Sequence, residues 1–363
     1  MAGDGADDLS ALRERIDAID DQLLSLFSQR AGLAEEVARV KAAMGEAADV
    51  YRPEREAEIL RRLADANPGP LKREQVITFF REVMSACRAL QQPLTVAFLG
   101  PRGTFTEEAA IKHFGHGAGA SAQATIGGVF REVESGGAHY GVVPVENSTE
   151  GVVSHTVDRF LDSDLAIVGE VELRIRHTLA THAERLDAVT RVYSHQQGLS
   201  QCRAWLDTHL PHAERVPVES TAEAARRAAE EPISAAVASE AAAELYGLPV
   251  RHAGIEDHPG NTTRFLVLGR QSPPPSGGDK TSLVVAASNR SGLLFQLLEP
   301  LARHNVNMTR IESRPARRSG VWEYVFFIDL LGHTEDETVA TALIEMEGRA
   351  TLFRVLGSYP RAV

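Results

Sequence analysis

The sequence predicts a multidomain chain of three folds in series: an all-α block, an α/β block and a small α+β unit. Three observations support this. Leu9, Leu12, Ile16, Ile19, Leu23, Leu26, Leu33, Val37 and Val40 recur by threes and fours along one seam, the spacing of a long amphipathic helix. From Thr95 onward, short apolar runs alternate with helical stretches, as in a sheet covered by helices. Beyond the stretch Gln271-Ser-Pro-Pro-Pro-Ser-Gly-Gly-Asp279, the order of elements reads βαββαβ.

Composition narrows the function classes. A chain of 363 residues exceeds what one hydrophobic core serves, and 43% apolar with 24% charged residues is ordinary for a globular protein. No run reaches the length of a membrane span, and the acidic start Met1-Ala-Gly-Asp-Gly-Ala-Asp-Asp8 is unlike a secretory signal, so no membrane partner is expected. Cys87 and Cys202 form no metal-ligand pattern, which points to a cytoplasmic protein with reduced thiols and no structural metal. A net charge of -12 argues against nucleic acid and implies that an anionic substrate is held by locally placed arginines and lysines.

In chain order, the helical block covers residues 9–92. Its second helix runs over about 54–66 and stops at Asn67-Pro-Gly-Pro70, and a third spans about 72–91. The α/β block covers 94–270, with strands at 95–99, 141–145, 165–168, 192–193, 235–238 and 265–268 on a largely parallel sheet. Residues 271–279 read as a linker, and 280–360 as the terminal unit. Its strands are expected at 281–287, 307–313, 322–331 and 352–356, and its helices at 292–304 and 336–346.

Several polar residues break these patterns. Arg30 occupies a seam position where an apolar residue is due, and Lys41 lies 11 residues on, near the same helical angle and about 16 Å along the axis. Arg13 lies 17 residues before Arg30, about 25 Å away, so it serves the same ligand only if a second, antiparallel copy supplies it. Arg30 also fits a structural role, paired with a carboxylate such as Glu56. Cys87 and Gln91 share a face of the third helix. In the α/β block, Asn261-Thr-Thr-Arg-Phe265 follows His258-Pro-Gly260 as a polar loop opening onto an apolar strand, with both threonines eligible for chemistry. Thr106 and Ser220-Thr221 fit helix caps equally well, Asn147 fits a turn, and His195 fits a structural histidine.

Taken together, these residues carry three resemblances. Leu12-Arg13, Ile16, Arg30, Lys41, Arg55-Glu56 and Gln91 on three helices resemble an all-helical chorismate mutase domain. That resemblance implies that Arg30 and the partner's Arg13 hold two carboxylates, Lys41 and Gln91 face the ether oxygen, Glu56 accepts the ring hydroxyl, and Arg55 and Cys87 belong to the pocket. Such a rearrangement needs compaction and positive charge rather than a nucleophile. Cys87 stands where relatives can carry a hydroxyl residue, and Arg52 where some carry an acid, although Asp49 is nearby.

The second block resembles prephenate dehydratase through Gly100-Pro-Arg-Gly-Thr-Phe-Thr106, Pro144-Val-Glu-Asn-Ser148, Ser194-His-Gln-Gln-Gly-Leu-Ser-Gln-Cys202, Ser220-Thr221 and Thr263-Arg-Phe265. The implied fold is a two-lobed, periplasmic-binding-protein-like domain. The implied catalytic hydroxyl is Thr263, with Asn147, Ser194 and Gln201 orienting the ring, Arg264 on a carboxylate, and Thr104, Thr106, Ser220 and Thr221 lining anion sites. The terminal unit resembles a phenylalanine-binding ACT domain, a ferredoxin-like fold. It does so through Ser291-Gly292-Leu293-Leu294-Phe295 and Glu312-Ser313-Arg314-Pro315, with Leu293 replacing a frequent alanine.

The implied function is conversion of chorismate through prephenate to phenylpyruvate, inhibited by phenylalanine, with no cofactor or metal and a homodimer or homotetramer as the assembly. A dehydratase with a silent mutase domain, or an aromatic amino acid sensor without catalysis, are the other readings of this architecture.

Overall fold

The computed structural model describes residues 4–43, 51–287, 290–315 and 324–363. Asp49, and Trp322 where the third terminal strand is expected to begin, lie outside the described residues.

The helical block is α1 (Asp4–Ala43), α2 (Pro53–Asp65) and α3 (Arg73–Gln91). Pro53 at the first position of α2 is preset for helix entry, and Leu60, Ala64, Ile77 and Met84 knit α2 to α3. The seam of α1 finds no cover: Leu9, Ile16, Leu23, Leu33 and Val40 are 42–62% exposed.

The middle block continues as β1 (Thr95–Leu99), α4 (Phe105–Phe114), β2 (Gly119–Gln123), α5 (Ile126–Glu134), β3 (Tyr140–Asn147), β4 (Gly151–Val152), α6 (Ser154–Arg159) and β5 (Ala166–Arg174). The chain then crosses to a second lobe. That lobe holds β6 (Thr178–Ala180), β7 (Arg191–His195), α7 (Gln196–Gln201), α8 (Arg203–His209), β8 (Glu214–Val218), α9 (Thr221–Glu230), β9 (Ser234–Ala238), α10 (Glu240–Leu245) and β10 (Val250–Ala253). The chain returns to the first lobe as β11 (Thr262–Gly269). The first sheet runs β2-β1-β3-β11-β5 with β4 beside β3, and the second β10-β6-β9-β7-β8. Neither sheet is largely parallel. The returning strand β11 pairs antiparallel with both β3 and β5, because the chain leaves by β5 at the end of the sheet and comes back beside it in the reverse direction. β11 also starts earlier than the sequence suggests: Thr262, Thr263 and Arg264 belong to the strand and not to a loop.

The terminal unit is β12 (Asp279–Ala286), α11 (Leu293–Arg303), β13 (Met308–Pro315), β14 (Tyr324–Leu331), α12 (Glu337–Glu347) and β15 (Leu352–Pro360), in sheet order β13-β14-β12-β15. It does not hang on a flexible tether. Gln271 bonds the Tyr140 hydroxyl at 2.9 Å and the Tyr51 carbonyl at 3.2 Å, and the Pro273 carbonyl lies 3.0 Å from His333 Nε2. One core joins Val143, Ile167, Leu266 and Leu268 to Val284, Phe327, Leu356 and Tyr359. β15 packs so close to β5 that a Cβ on Gly357 would lie 2.1 Å from the Ile167 carbonyl oxygen.

β11 organises this junction by alternation. Phe265 and Val267 face the core under α4, while Leu266 and Leu268 face the terminal unit. Arg264 therefore points into the interface, donating to Glu170 (2.7 Å), Asp329 (2.5 Å) and the Tyr359 hydroxyl (2.9 Å). Lys280 adds a second cation on Glu170 at 2.7 Å, and Ser282 donates to Asp329 at 2.6 Å.

Burial alone would raise the Asp329 carboxyl, but Arg264 and Ser282 outweigh it and hold the group below its ordinary range. The folded state thus binds fewer protons than the unfolded one. The contribution is present above about pH 4 and is lost as pH falls through that value toward the folded pKa. Urea titrations at stepped pH are expected to show stability falling below about pH 4, and Asp329→Asn to flatten that fall while costing about 3–5 kcal/mol at neutral pH.

Candidate active sites

The first candidate site is a cleft of about 740 Å³ between the two lobes. The N-termini of α4 and α9 both open onto it. Thr104 caps α4 by accepting from the Glu107 amide and donates to the Leu99 carbonyl, and Ser220 caps α9 by accepting from the Glu223 amide at 3.0 Å. Gly103, in the left-handed conformation, lets the loop before α4 run close to α10, where a Cβ on it would lie 3.2 Å from Ala242 Cα. Thr106 and Thr221 are buried beside the two caps and line the same cleft. His195 caps α7, its Nδ1 accepting from the Gln197 amide at 3.3 Å.

The floor of the cleft is built across strands. Thr263 and Asn147 are register partners on β11 and β3, and Asn147 Nδ2 donates to Thr263 Oγ1 at 2.8 Å. The same nitrogen donates to Asn261 Oδ1 at 2.8 Å, and Asn261 Nδ2 donates to Gln201 Oε1 at 3.0 Å. Gln201 Oε1 also lies 2.9 Å from His177 Nε2, while Gln201 Nε2 donates to Glu150 at 3.1 Å. Burial pushes the His177 ring below its ordinary pKa, only partly offset by Gln201 and Glu256, so the ring is neutral.

Two expected members of this site are elsewhere. Ser194 is fully buried and donates to the Val237 carbonyl at 2.7 Å, closing a gap inside the sheet beside Gly198. Arg264 leaves the opposite face of β11 from Thr263 and is spent on Glu170 and Asp329, so it holds no carboxylate in the cleft. No arginine or lysine is among the described residues that line the cleft, contrary to the expectation drawn from net charge. Helix N-termini and hydroxyls present the donors instead.

His177 was missed as a site residue, and Asn261, though part of the polar stretch 261–265, was given no role. Asn261 had a signal, because it precedes Thr263 by two and so shares its strand face. His177 had none, lying between Arg176 and Thr178 on the crossover between lobes.

The second candidate site is on the helices. Arg88 donates to Glu56 at 2.6 Å and to the Phe114 carbonyl, the last turn of α4, also at 2.6 Å. Burial raises Glu56 above the ordinary carboxylate range despite Arg88, Arg81 and Arg30 nearby. One oxygen of Glu56, Oε2, is thus partnered within the chain. Arg81 and Arg88, seven apart on one face of α3, are cations the sequence reading overlooked. Arg30 comes within charge range of Glu56, Cys87 is buried on α3, and Lys41 and Gln91 are half-buried. Arg55 turns outward to Glu58 at 2.7 Å, and Arg13 is exposed on the distant end of α1.

The block is pinned to the first lobe by buried Tyr51. Its hydroxyl bonds His113 Nε2 at 2.6 Å, and its ring meets Phe114 and Tyr140 at 5.0 and 5.1 Å. Burial, with Arg81 and Arg88, lowers His113 to about 3, so this ring is neutral.

In the terminal unit, Ala286 at the end of β12 and Arg314 on β13 both register with Val325 of β14. Ser291, Gly292, Leu293 and Leu294 follow β12 into α11, so they reach the same end of the sheet as Glu312, Ser313, Arg314 and Pro315. Gly292 takes the left-handed conformation at the helix entry, and Arg314 is also tied to Asp158 of α6 at 3.4 Å.

Comparison with known proteins matches each block. The chorismate mutase type II family profile covers residues 12–92, prephenate dehydratase 96–273, and the ACT domain 281–348. The bifunctional chorismate mutase/prephenate dehydratase of Stutzerimonas stutzeri is 52% identical over 99% of both chains, and that of Pseudomonas aeruginosa is 52% identical over 98% of this chain and 99% of its own. The solved prephenate dehydratase of Arthrobacter aurescens, in complex with L-Phe, is 37% identical with a TM-score of 0.69, over 74% of this chain and 90% of its own. A three-helix block, a two-lobed cleft and a βαββαβ unit in this order place the chain in the family of bifunctional chorismate mutase/prephenate dehydratases that carry a C-terminal ACT domain.

Proposed function

We propose that Thr263 is the donor to the leaving hydroxide in the dehydratase cleft, that the mutase site is completed by a second copy of the chain, and that phenylalanine acts through the ACT unit. The enzyme is both a chorismate mutase and a prephenate dehydratase. The cross-strand bond from Asn147 to Thr263 on the floor of the cleft carries the first assignment.

Prephenate carries a ring hydroxyl opposite a ring carboxylate. Expelling carbon dioxide and hydroxide together makes the ring aromatic, so the enzyme has to stabilise the departing oxygen. Thr263 donates its hydroxyl proton to that oxygen, which leaves as water, and regains a proton from solvent. The donors at the starts of α4 and α9, with Thr104, Thr106, Ser220 and Thr221, take the carboxylates in place of the arginine that the interface keeps. Ser194 supports this site from within the sheet rather than touching substrate.

In the mutase block, the exposed seam of α1 fits a second α1 running antiparallel, which would bring the partner's Arg13 to Arg30 and Lys41. Glu56 lies within charge range of Arg30, Gln91 belongs to the same site by the family resemblance, and a cytoplasmic location fits the two free thiols. The turn at Gly292 and the segment Glu312 to Pro315 converge at one end of the ACT sheet, which supports a site for an amino acid's charged ends there.

Thr263→Ala is expected to lower phenylpyruvate formation from prephenate about 100-fold or more, equal to about 2.7 kcal/mol of barrier, while chorismate consumption is unchanged. A loss below tenfold would reduce Thr263 to a binding residue. Arg13→Ala and Arg30→Ala are each expected to abolish mutase turnover. Mixing and refolding the two should restore about a quarter of the wild-type rate, from mixed dimers with one intact site; no recovery would place both arginines in one protomer's site. Glu312→Ala is expected to relieve phenylalanine inhibition with dehydratase turnover retained, as read from inhibitor titrations.

A further inference from the structure

The hydrogen bonds around Thr263 have a direction. Asn147 Oδ1 accepts from the backbone amides of Thr149 (3.0 Å) and Glu150 (3.1 Å), groups that can only donate. Its other terminal atom is therefore the NH2 group, whose two hydrogens go to Thr263 Oγ1 and Asn261 Oδ1. At the other end, Gln201 gives its NH2 to the Glu150 carboxylate, which can only accept, so its Oε1 faces Asn261 Nδ2 and His177 Nε2. His177 is then the Nε2–H tautomer. The opposite tautomer would set two lone pairs against each other, and Nδ1, buried and without a partner among the described residues, offers nothing in exchange.

Both ends of the chain thus fix the orientation of Asn261, and Asn261 Oδ1 is occupied by Asn147 and, at 3.4 Å, by the Thr149 hydroxyl. Thr263 accepts from Asn147, and no protein acceptor takes its own proton among these bonds. That proton is left to point into the cleft, toward a leaving oxygen.

We propose that Asn261 is a positioning residue for the dehydratase reaction: bonded by Asn147 from the first lobe and Gln201 from the second, it keeps Thr263 an acceptor toward the protein and a donor toward the substrate. This deepens the reading of Thr263 and rests on it. Because Gln201 belongs to α7 while Asn147 and Thr263 belong to the first-lobe sheet, the polarity is complete only with the lobes together.

The test is Asn261→Asp in the full-length enzyme, with Asn261→Ala beside it. A carboxylate at this position faces the Gln201 oxygen and sets a negative charge beside the developing hydroxide. At pH 8, dehydratase kcat is expected to fall at least 30-fold with KM for prephenate within threefold of wild type. As pH is lowered toward 5.5, the Asn261→Asp protein is expected to regain at least fivefold relative to wild type, because a protonated carboxyl again donates. The charged and titratable groups around the position are Glu150 and His177, with Glu256 on the His177 amide and Asp257 beyond Gln201, and all are present in both proteins. Asn261→Ala is expected to lose at least tenfold in kcat with a pH profile parallel to wild type. Mutase turnover and the prephenate KM report folding of the same samples.

Dehydratase kcat for Asn261→Asp within threefold of wild type across this range, or a reduced kcat whose pH profile parallels wild type, overturns the proposal. If Asn261→Asp fails to fold, an Asn261→Ala protein with wild-type kcat overturns it as well. Loss of activity in Thr263→Ala alongside unaffected Asn261 variants would remove Asn261 only, whereas an active Thr263→Ala would remove the reading beneath it.

Discussion

Thr263 and Arg264 are neighbours whose side chains leave β11 on opposite faces, and most of the architecture follows from that alternation. On one side the hydroxyl enters a polar cleft floor built with Asn147 and Asn261. On the other, the guanidinium is buried among Glu170, Asp329 and Tyr359 and holds the ACT sheet against the first lobe. A buried cation removed from water is tolerable only because two carboxylates and a phenol surround it. The strand that carries Thr263 is thereby also the strand on which the ACT domain sits. Asp329 and Tyr359 of the ACT sheet bond directly to the residue next to Thr263.

The mutase block meets the dehydratase in a similar way. Arg88 grips Glu56 with one nitrogen and the last turn of α4 with another, and α4 begins at the dehydratase cleft. Helix α4 therefore spans from one candidate site to the edge of the other. Tyr51 and a neutral His113 seal this contact by burial, so the helical block is docked on the first lobe and not strung beside it.

Much of the chain was legible in its residues. The α1 seam and the βαββαβ order rest on local periodicity, which survives whatever the rest of the fold does, while the segments around Asn147, Gln201 and Thr263 were legible through their resemblance to prephenate dehydratase. Arg264 was misread because sequence shows that two side chains alternate, not which face of the strand meets solvent, a cleft or another domain. Ser194 was misread because a hydroxyl beside a glycine-rich turn looks the same whether it faces substrate or plugs a sheet. His177 and Arg88 left no trace because their partners lie 24 and 32 residues away, at contacts that exist only after folding.

By itself, the sequence determined the three blocks, the two chemistries that its motifs carry and the threonine on which the dehydratase reading rests. Only the tertiary structure decided the direction of the hydrogen bonds around that threonine, the partner of Arg264 and the lack of arginine and lysine among the described residues of the cleft lining. The physical reason is that hydrogen-bond polarity and ion pairing depend on which groups become neighbours across lobes and domains. A residue's type sets what it can donate or accept, and the fold sets which of those options remains open.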